Sequence, residues 1–147
     1  MFNLLVQIGG LFAVLSFIHF FVDWLFQSHD EAMAKHSNSL IRAKHCLIYT
    51  LGFVPVFTLL DLSAGLSILL SMILFLSHFV EDTYIPVYLW AKYIRKPAEM
   101  KSVEDMQYGF RVFSSTPLGK ILMIAVDQII HLFFVMIVAI LIAVYGS

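Results

Sequence analysis

Three pairs of histidine and aspartate, each spaced four residues apart, are the side chains of this 147-residue sequence best suited to chemistry. The pairs are His19 with Asp23, His78 with Asp82, and Asp127 with His131. Residues four apart lie on one face of an α-helix, so each pair can present an imidazole beside a carboxylate. Imidazole nitrogen and carboxylate oxygen together are ligands for Zn²⁺, with Mn²⁺ and Fe²⁺ as alternatives. The pattern therefore predicts a divalent metal site.

Further polar residues near the pairs are predicted as accessory residues of the same site. They are Gln27, Lys35, His45, Tyr49 and Gln128. His45 begins the second apolar stretch and is expected to cover the mouth of the site. Glu81 adjoins Asp82 but is turned by roughly 100° around a helix, so we leave it out of the predicted site.

The three carboxylates decide between the interpretations of the pairs. In an apolar interior they would repel one another and be poorly solvated unless a cation joined them. We therefore expect His19, His78 and His131 as principal metal ligands. The carboxylates of Asp23, Asp82 and Asp127 would be further ligands, orienting groups or the catalytic base. Three alternatives stay open: a metal-free proton or ion relay, haem held between two histidines, and hydrogen bonds that join helices at about 0.6–2 kcal/mol each.

The composition indicates a membrane protein. Hydrophobic residues make up 61% of the chain and charged residues only 13%, unlike the balance of a soluble domain. The net charge of -1 gives no reason to expect a nucleic-acid partner. The expected partners are the lipid bilayer, a lipid or lipid-like substrate and, for a transport function, further copies of the chain.

Hydrophobic stretches of membrane-spanning length predict an all-α bundle of four transmembrane helices in a single domain, residues 1–147. The predicted spans cover about 3–27, 45–60, 66–90 and 118–145. The three pairs would then lie at similar depths in one half of the bilayer. A short amphipathic helix is predicted between the last two spans, starting near Ser102-x-x-Asp105.

The basic residues predict the orientation of the bundle. All of them fall in or beside the two loops that connect spans one to two and three to four. By the positive-inside rule these loops face the cytoplasm, which places both termini outside. The expected location is a bacterial inner membrane.

The motifs together resemble the bacterial and phage membrane proteins of domain-of-unknown-function family 3307. They are His19-x-x-x-Asp23-x-x-x-Gln27, Lys35, His45-x-x-x-Tyr49, His78-x-x-x-Asp82 and Asp127-Gln128-x-x-His131. The resemblance implies a small multi-span inner-membrane protein and brings no substrate. A looser similarity is to intramembrane hydrolases such as alkaline ceramidases, which place His and Asp around zinc, although this chain lacks their His-x-x-x-His element.

We therefore predict metal-dependent hydrolysis of a membrane-embedded ester, amide or phosphoester. The alternative is a protein that binds or transports metal ions or protons with the same His/Asp cluster.

Overall fold

The computed structural model describes residues 2–101 and 103–146, and within them every regular element is a helix. In chain order the elements are α1 (Phe2–Leu25), α2 (His29–Ala34), α3 (Ser39–Leu51), α4 (Val54–Leu59), α5 (Ala64–Glu81), α6 (Ile85–Trp90), a π-helical turn (Ala91–Arg95), α7 (Ala98–Lys101), α8 (Met106–Ser115) and α9 (Pro117–Tyr145). The predicted all-α fold is confirmed.

Four helical segments in the described part of the chain are long and apolar enough to cross a membrane. They are Phe2–Leu25, Ser39–Leu59, Ala64–Glu81 and Pro117–Tyr145. The second segment comprises α3 and α4, which are separated at Gly52 and Phe53, and Pro55 lies in the first turn of α4. Proline suits this position because the first amides of a helix have no partner within it.

Two spans differ in length from the sequence prediction. The second begins at Ser39 rather than His45, because the Asn38 side chain accepts hydrogen bonds from the amides of Leu40 and Ile41 and starts the helix earlier. His45 therefore lies well inside α3.

The third span ends at Glu81, whereas the sequence predicted a helix to Trp90. Pro86 has no amide hydrogen to donate to the carbonyl of Asp82, and its ring would clash with that carbonyl. The chain turns instead through Tyr84, which has a left-handed φ of 63°, before α6 begins. Asp82 is consequently the residue that ends α5, at the border of the span.

The bundle changes from polar to apolar within one helical turn. Helix α9 packs against both α1 and α5, and α3 packs against α5 and α1. Four apolar residues, almost completely buried, each lie four positions from a buried polar one in the same membrane-spanning segment: Leu15 from His19, Phe53 from Tyr49, Leu74 from His78, and Val135 from His131. This layer of Leu15, Phe53, Leu74 and Val135, which we call the apolar floor, separates the polar residues from the other half of the bundle.

The short amphipathic helix predicted between the last two spans corresponds to α8. Asp105 caps it by accepting hydrogen bonds from the amides of Gln107 and Tyr108. Ser102, where the predicted capping motif begins, lies outside the described residues. Phe113 of α8 is buried against the bundle, while Tyr108 on another face is exposed.

Candidate metal centre

Four buried donor atoms converge where α1, α3 and α5 meet. They are Asp23 Oδ1 from α1, His45 Nε2 from α3, His78 Nε2 from α5 and Asp82 Oδ2 at the end of α5. The His45 nitrogen lies 3.0 Å from both Asp23 Oδ1 and His78 Nε2. Three further separations are 3.5 Å from His78 to Asp23, 3.4 Å from His78 to Asp82, and 3.6 Å from His45 to Asp82.

The separations among Asp23, His45 and His78 fit three corners of one tetrahedral ion. Zinc bonds of about 2.0–2.1 Å to nitrogen and oxygen imply donor atoms about 3.3–3.4 Å apart at the corners of a tetrahedron. The three distances among Asp23 Oδ1, His45 Nε2 and His78 Nε2, 3.0–3.5 Å, bracket that value, and Asp82 Oδ2 lies 3.4–3.6 Å from the two histidine nitrogens. Asp23, His45 and His78 form a buried group that can hold a metal ion, and the Cys46 thiol forms another with His78 and Asp82.

Hydrogen bonds within the protein cannot satisfy all the polar atoms of this cluster. His45 Nε2 faces a carboxylate oxygen, another imidazole nitrogen and, at 3.3 Å, the Lys35 ammonium. One ring nitrogen either donates a proton or accepts one, so it cannot serve all three groups. Asp82 Oδ2 is buried and has no hydrogen-bond partner. An unpartnered buried carboxylate oxygen is costly, and a cation among the four donors would satisfy it.

Lys35 is the cation that the chain itself supplies. Its ammonium lies 2.9 Å from Asp82 Oδ1 and 3.6 Å from Asp23 Oδ1, and its side chain is only 8% exposed. Burial by itself lowers the pKa of Lys35, but the carboxylates of Asp23 and Asp82 outweigh it and hold that pKa above its ordinary value. A single ammonium faces two carboxylate groups here, so the site has room in its charge for a further cation.

The segment between α2 and α3 holds Lys35 over the site. The Arg42 guanidinium donates to the carbonyls of Lys35, at 2.9 Å, and His36, at 3.2 Å. His36 Nδ1 donates to the carbonyl of Asp82 at 2.8 Å, and its ring stacks on Tyr84. Burial lowers the pKa of His36, which favours the neutral ring. These contacts attach the loop to the end of α5.

His19 lies deeper and has partners for both ring nitrogens. The Gln128 side-chain oxygen accepts from His19 Nε2 at 3.0 Å, so the neutral ring accepts at Nδ1 from the Tyr49 hydroxyl, also at 3.0 Å. The Tyr49 ring stacks on His78 with centroids 3.9 Å apart. Tyr49 therefore joins His19 to the donor cluster and fixes the plane of the His78 ring. The role of His19 as a metal ligand stays a prediction.

His131 and Asp127 lie on the other side of His78. His131 Nδ1 donates to the backbone carbonyl of Asp127 at 2.8 Å, and its Nε2 faces Glu81 Oε2 at 3.2 Å. The Asp127 carboxylate accepts from the Gln128 amide and is 23% exposed. Asp127, with its carboxylate on Gln128 and near His131, therefore lies beside the four-donor cluster rather than within it.

Gln27, the remaining predicted accessory residue, donates from its side-chain amide to the backbone carbonyl of Asp23.

A cavity of about 370 Å³ opens next to the donor cluster. Its polar lining includes Asp23, Asp82 and Lys35, together with Asp127 and Gln128. Exposed Trp24, Met33 and Ile124 form its rim. A larger apolar cavity of about 730 Å³ lies between α3, α4 and α5, away from the histidines. The cavity of about 370 Å³ is therefore the one that adjoins the candidate metal ligands.

Two residues have a different position from the one the sequence suggested. His45, expected at the mouth, is at the centre of the donor cluster. Glu81, which we had left out, is 3% exposed and faces His131. The sequence did hold a signal for Glu81: it lies three residues after His78, and residues i and i+3 also share a helix face.

The fold and the site define the class: a helical membrane protein with a buried His/Asp centre able to hold a metal ion. No family model, curated protein or solved structure matches the chain.

Proposed function

We propose that this protein is a metal-dependent hydrolase of a membrane-embedded ester, amide or phosphoester. The observation that carries the proposal is the convergence of Asp23, His45 and His78 at spacings that suit a tetrahedral ion, with Asp82 beside both histidines and a cavity next to the group. A bound divalent ion would polarise the scissile bond and activate water. Zinc suits the donor set best, and manganese or iron are the alternatives.

The contacts of each residue indicate its proposed role in hydrolysis. Asp23, His45 and His78 come from three different helices and are the proposed ligands. Asp82 presents one oxygen to Lys35 and has the other unpartnered, so it is the proposed catalytic base or a fourth ligand. Lys35 lies at the cavity wall, where its charge would attract an anionic substrate group.

The rim of the cavity supports a substrate that lies within the bilayer. Trp24 and Ile124 belong to membrane-spanning segments, are each more than half exposed and would face lipid, whereas Met33 lies in α2 at the edge of the bilayer. A substrate could therefore reach the polar lining from the side while its apolar part remains in the membrane.

The apolar floor favours hydrolysis over the alternative of ion or proton transport. Leu15, Phe53, Leu74 and Val135 are at most 1% exposed and lie immediately beyond the polar residues. In the described part of a single copy of the bundle, this packed layer beneath the histidines offers a transported ion no polar ligands.

The test measures lipid turnover and ion movement with the same vesicles. Protein purified without chelator is reconstituted into liposomes of bacterial lipid extract, and the lipids are followed by mass spectrometry. We expect the wild type to hydrolyse a lipid in the vesicles. The rate of this hydrolysis should fall about 10²–10⁴-fold in Asp82→Asn, because the catalytic base is removed.

Asp61→Asn is the matched control, since it makes the same chemical change at an exposed turn outside the site. Unchanged lipids together with zinc or proton flux that requires Asp82 would contradict the hydrolase and support the transporter.

The proposal also places the protein in a bacterial inner membrane with both termini outside. The basic loops 28–44 and 92–115 are then expected on the cytoplasmic side. Single cysteines introduced at exposed Asp30 and Glu104, in a Cys46→Ala background, should resist an impermeant thiol reagent in intact cells and react after lysis. Labelling from outside at either position would contradict this orientation.

A further inference from the structure

A second group of donors lies behind His78, away from the cavity. Ligand atoms of His78, Glu81 and His131 lie within 4.8 Å of one another, and all three residues are at least 97% buried. Among the described residues that line the cavity, neither Glu81 nor His131 is present. The group therefore joins α5 to α9 within the packed bundle.

The hydrogen bonds of His131 determine which of its nitrogens is available. A backbone carbonyl can only accept, so His131 Nδ1 must carry the proton that it donates to Asp127. The neutral ring then has a lone pair at Nε2, directed at the Glu81 carboxylate 3.2 Å away. Two acceptors at this distance repel unless a proton or a metal ion lies between them.

Three buried atoms of this group have no hydrogen-bond partner: His78 Nδ1, Glu81 Oε1 and His131 Nε2. Each belongs to a different residue of the same group, which makes a shared ligand the simplest way to satisfy them. His78 Nε2 belongs to the first cluster, so Nδ1 is the nitrogen that remains for the second.

We propose that Glu81, His131 and His78 bind a second divalent metal ion, so that His78 releases its remaining ring proton to solvent and bridges the two ions as an imidazolate. This inference rests on the proposed function for the first ion. The second ion, distant from the cavity, would fasten α9 to α5 and fix the orientation of His78.

Metal stoichiometry tests the inference without reference to turnover. Metal-free wild-type protein is titrated with Co²⁺. The ligand-field absorption of bound Co²⁺ reports each occupied site, and the measurement requires no change to the protein sequence. Zinc-loaded protein is separately passed through a desalting column and analysed for zinc per chain. We expect two ions per chain in the wild type and in the control Asp61→Asn.

The variants assign the ions to their sites. Glu81→Gln and His131→Ala should retain one ion, and His45→Ala should also retain one, while eluting from gel filtration as the wild type does. One ion in the wild type, or two in both Glu81→Gln and His131→Ala, would overturn the second site and leave the first. No ion in the wild type would overturn both sites. Two correctly assigned ions without lipid turnover would support this inference and contradict the hydrolase.

Discussion

Replacing His78 by alanine is expected to remove all tightly bound metal and the thermal stabilisation that metal provides. His78 is 1% exposed and is the residue common to both donor groups. A ligand that binds only the folded state stabilises it by about 2.7 kcal/mol at one hundred times its dissociation constant. Thermal unfolding of detergent-solubilised protein, with and without zinc, should show that gain in the wild type and lose it in His78→Ala.

The matched control is His29→Ala, because His29 is an exposed histidine at the start of α2. It should keep the full zinc-dependent shift. His45→Ala should lose most of the shift, since its nitrogen is at the centre of the first cluster. A zinc-dependent shift in His78→Ala as large as in the wild type would show that zinc binds elsewhere.

The variant His19→Ala tests whether His19 is a metal ligand, as the sequence predicts, or is not, as its position in the structure indicates. If the three pairs formed one centre, as their spacing suggested, this change would lower the metal content. In the structure both nitrogens of His19 have neutral partners, and the four-donor cluster forms without it. The geometry therefore predicts unchanged zinc stoichiometry in His19→Ala, measured beside His78→Ala.

The i,i+4 spacing was sufficient to predict that His78 and Asp82 lie side by side, 3.4 Å apart in the structure, because that relation is set within one segment of chain. It could not predict which faces of different helices meet. His45 became central because Asn38 starts α3 early and packing turns this face toward α1 and α5. Such rotation depends on the fit of many side chains between helices, which no single segment encodes.

The end of α5 shows a second limit of the sequence analysis. Hydropathy continues through Trp90, so a hydrophobic window does not detect where the helix stops. Pro86 was the local signal, since a helix cannot donate at that position. By ending α5 at Glu81, the turn brings Asp82 beside the loop that carries Lys35 and His36. The polar cavity arises from this break in the helix.

Replacing Lys35 by methionine is expected to destabilise the metal-free protein by about 3–5 kcal/mol, the usual cost of removing one partner of a buried ion pair. The ammonium lies within 3.6 Å of both Asp23 and Asp82, and methionine keeps the bulk without the charge. The raised pKa of Lys35 means that this stabilisation is present at neutral pH and is lost only as pH rises through the folded value.

Metal should reverse much of this loss. A divalent ion at the four-donor cluster would compensate the same two carboxylates, and removal of the ammonium also removes its repulsion toward that ion. We therefore expect the zinc-dependent rise in unfolding temperature to be larger in Lys35→Met than in the wild type. Lys44→Met is the control, because the Lys44 pair with Glu31 is exposed and screened by solvent. Equal destabilisation of Lys35→Met with and without zinc would show that Lys35 and the metal do not share these carboxylates.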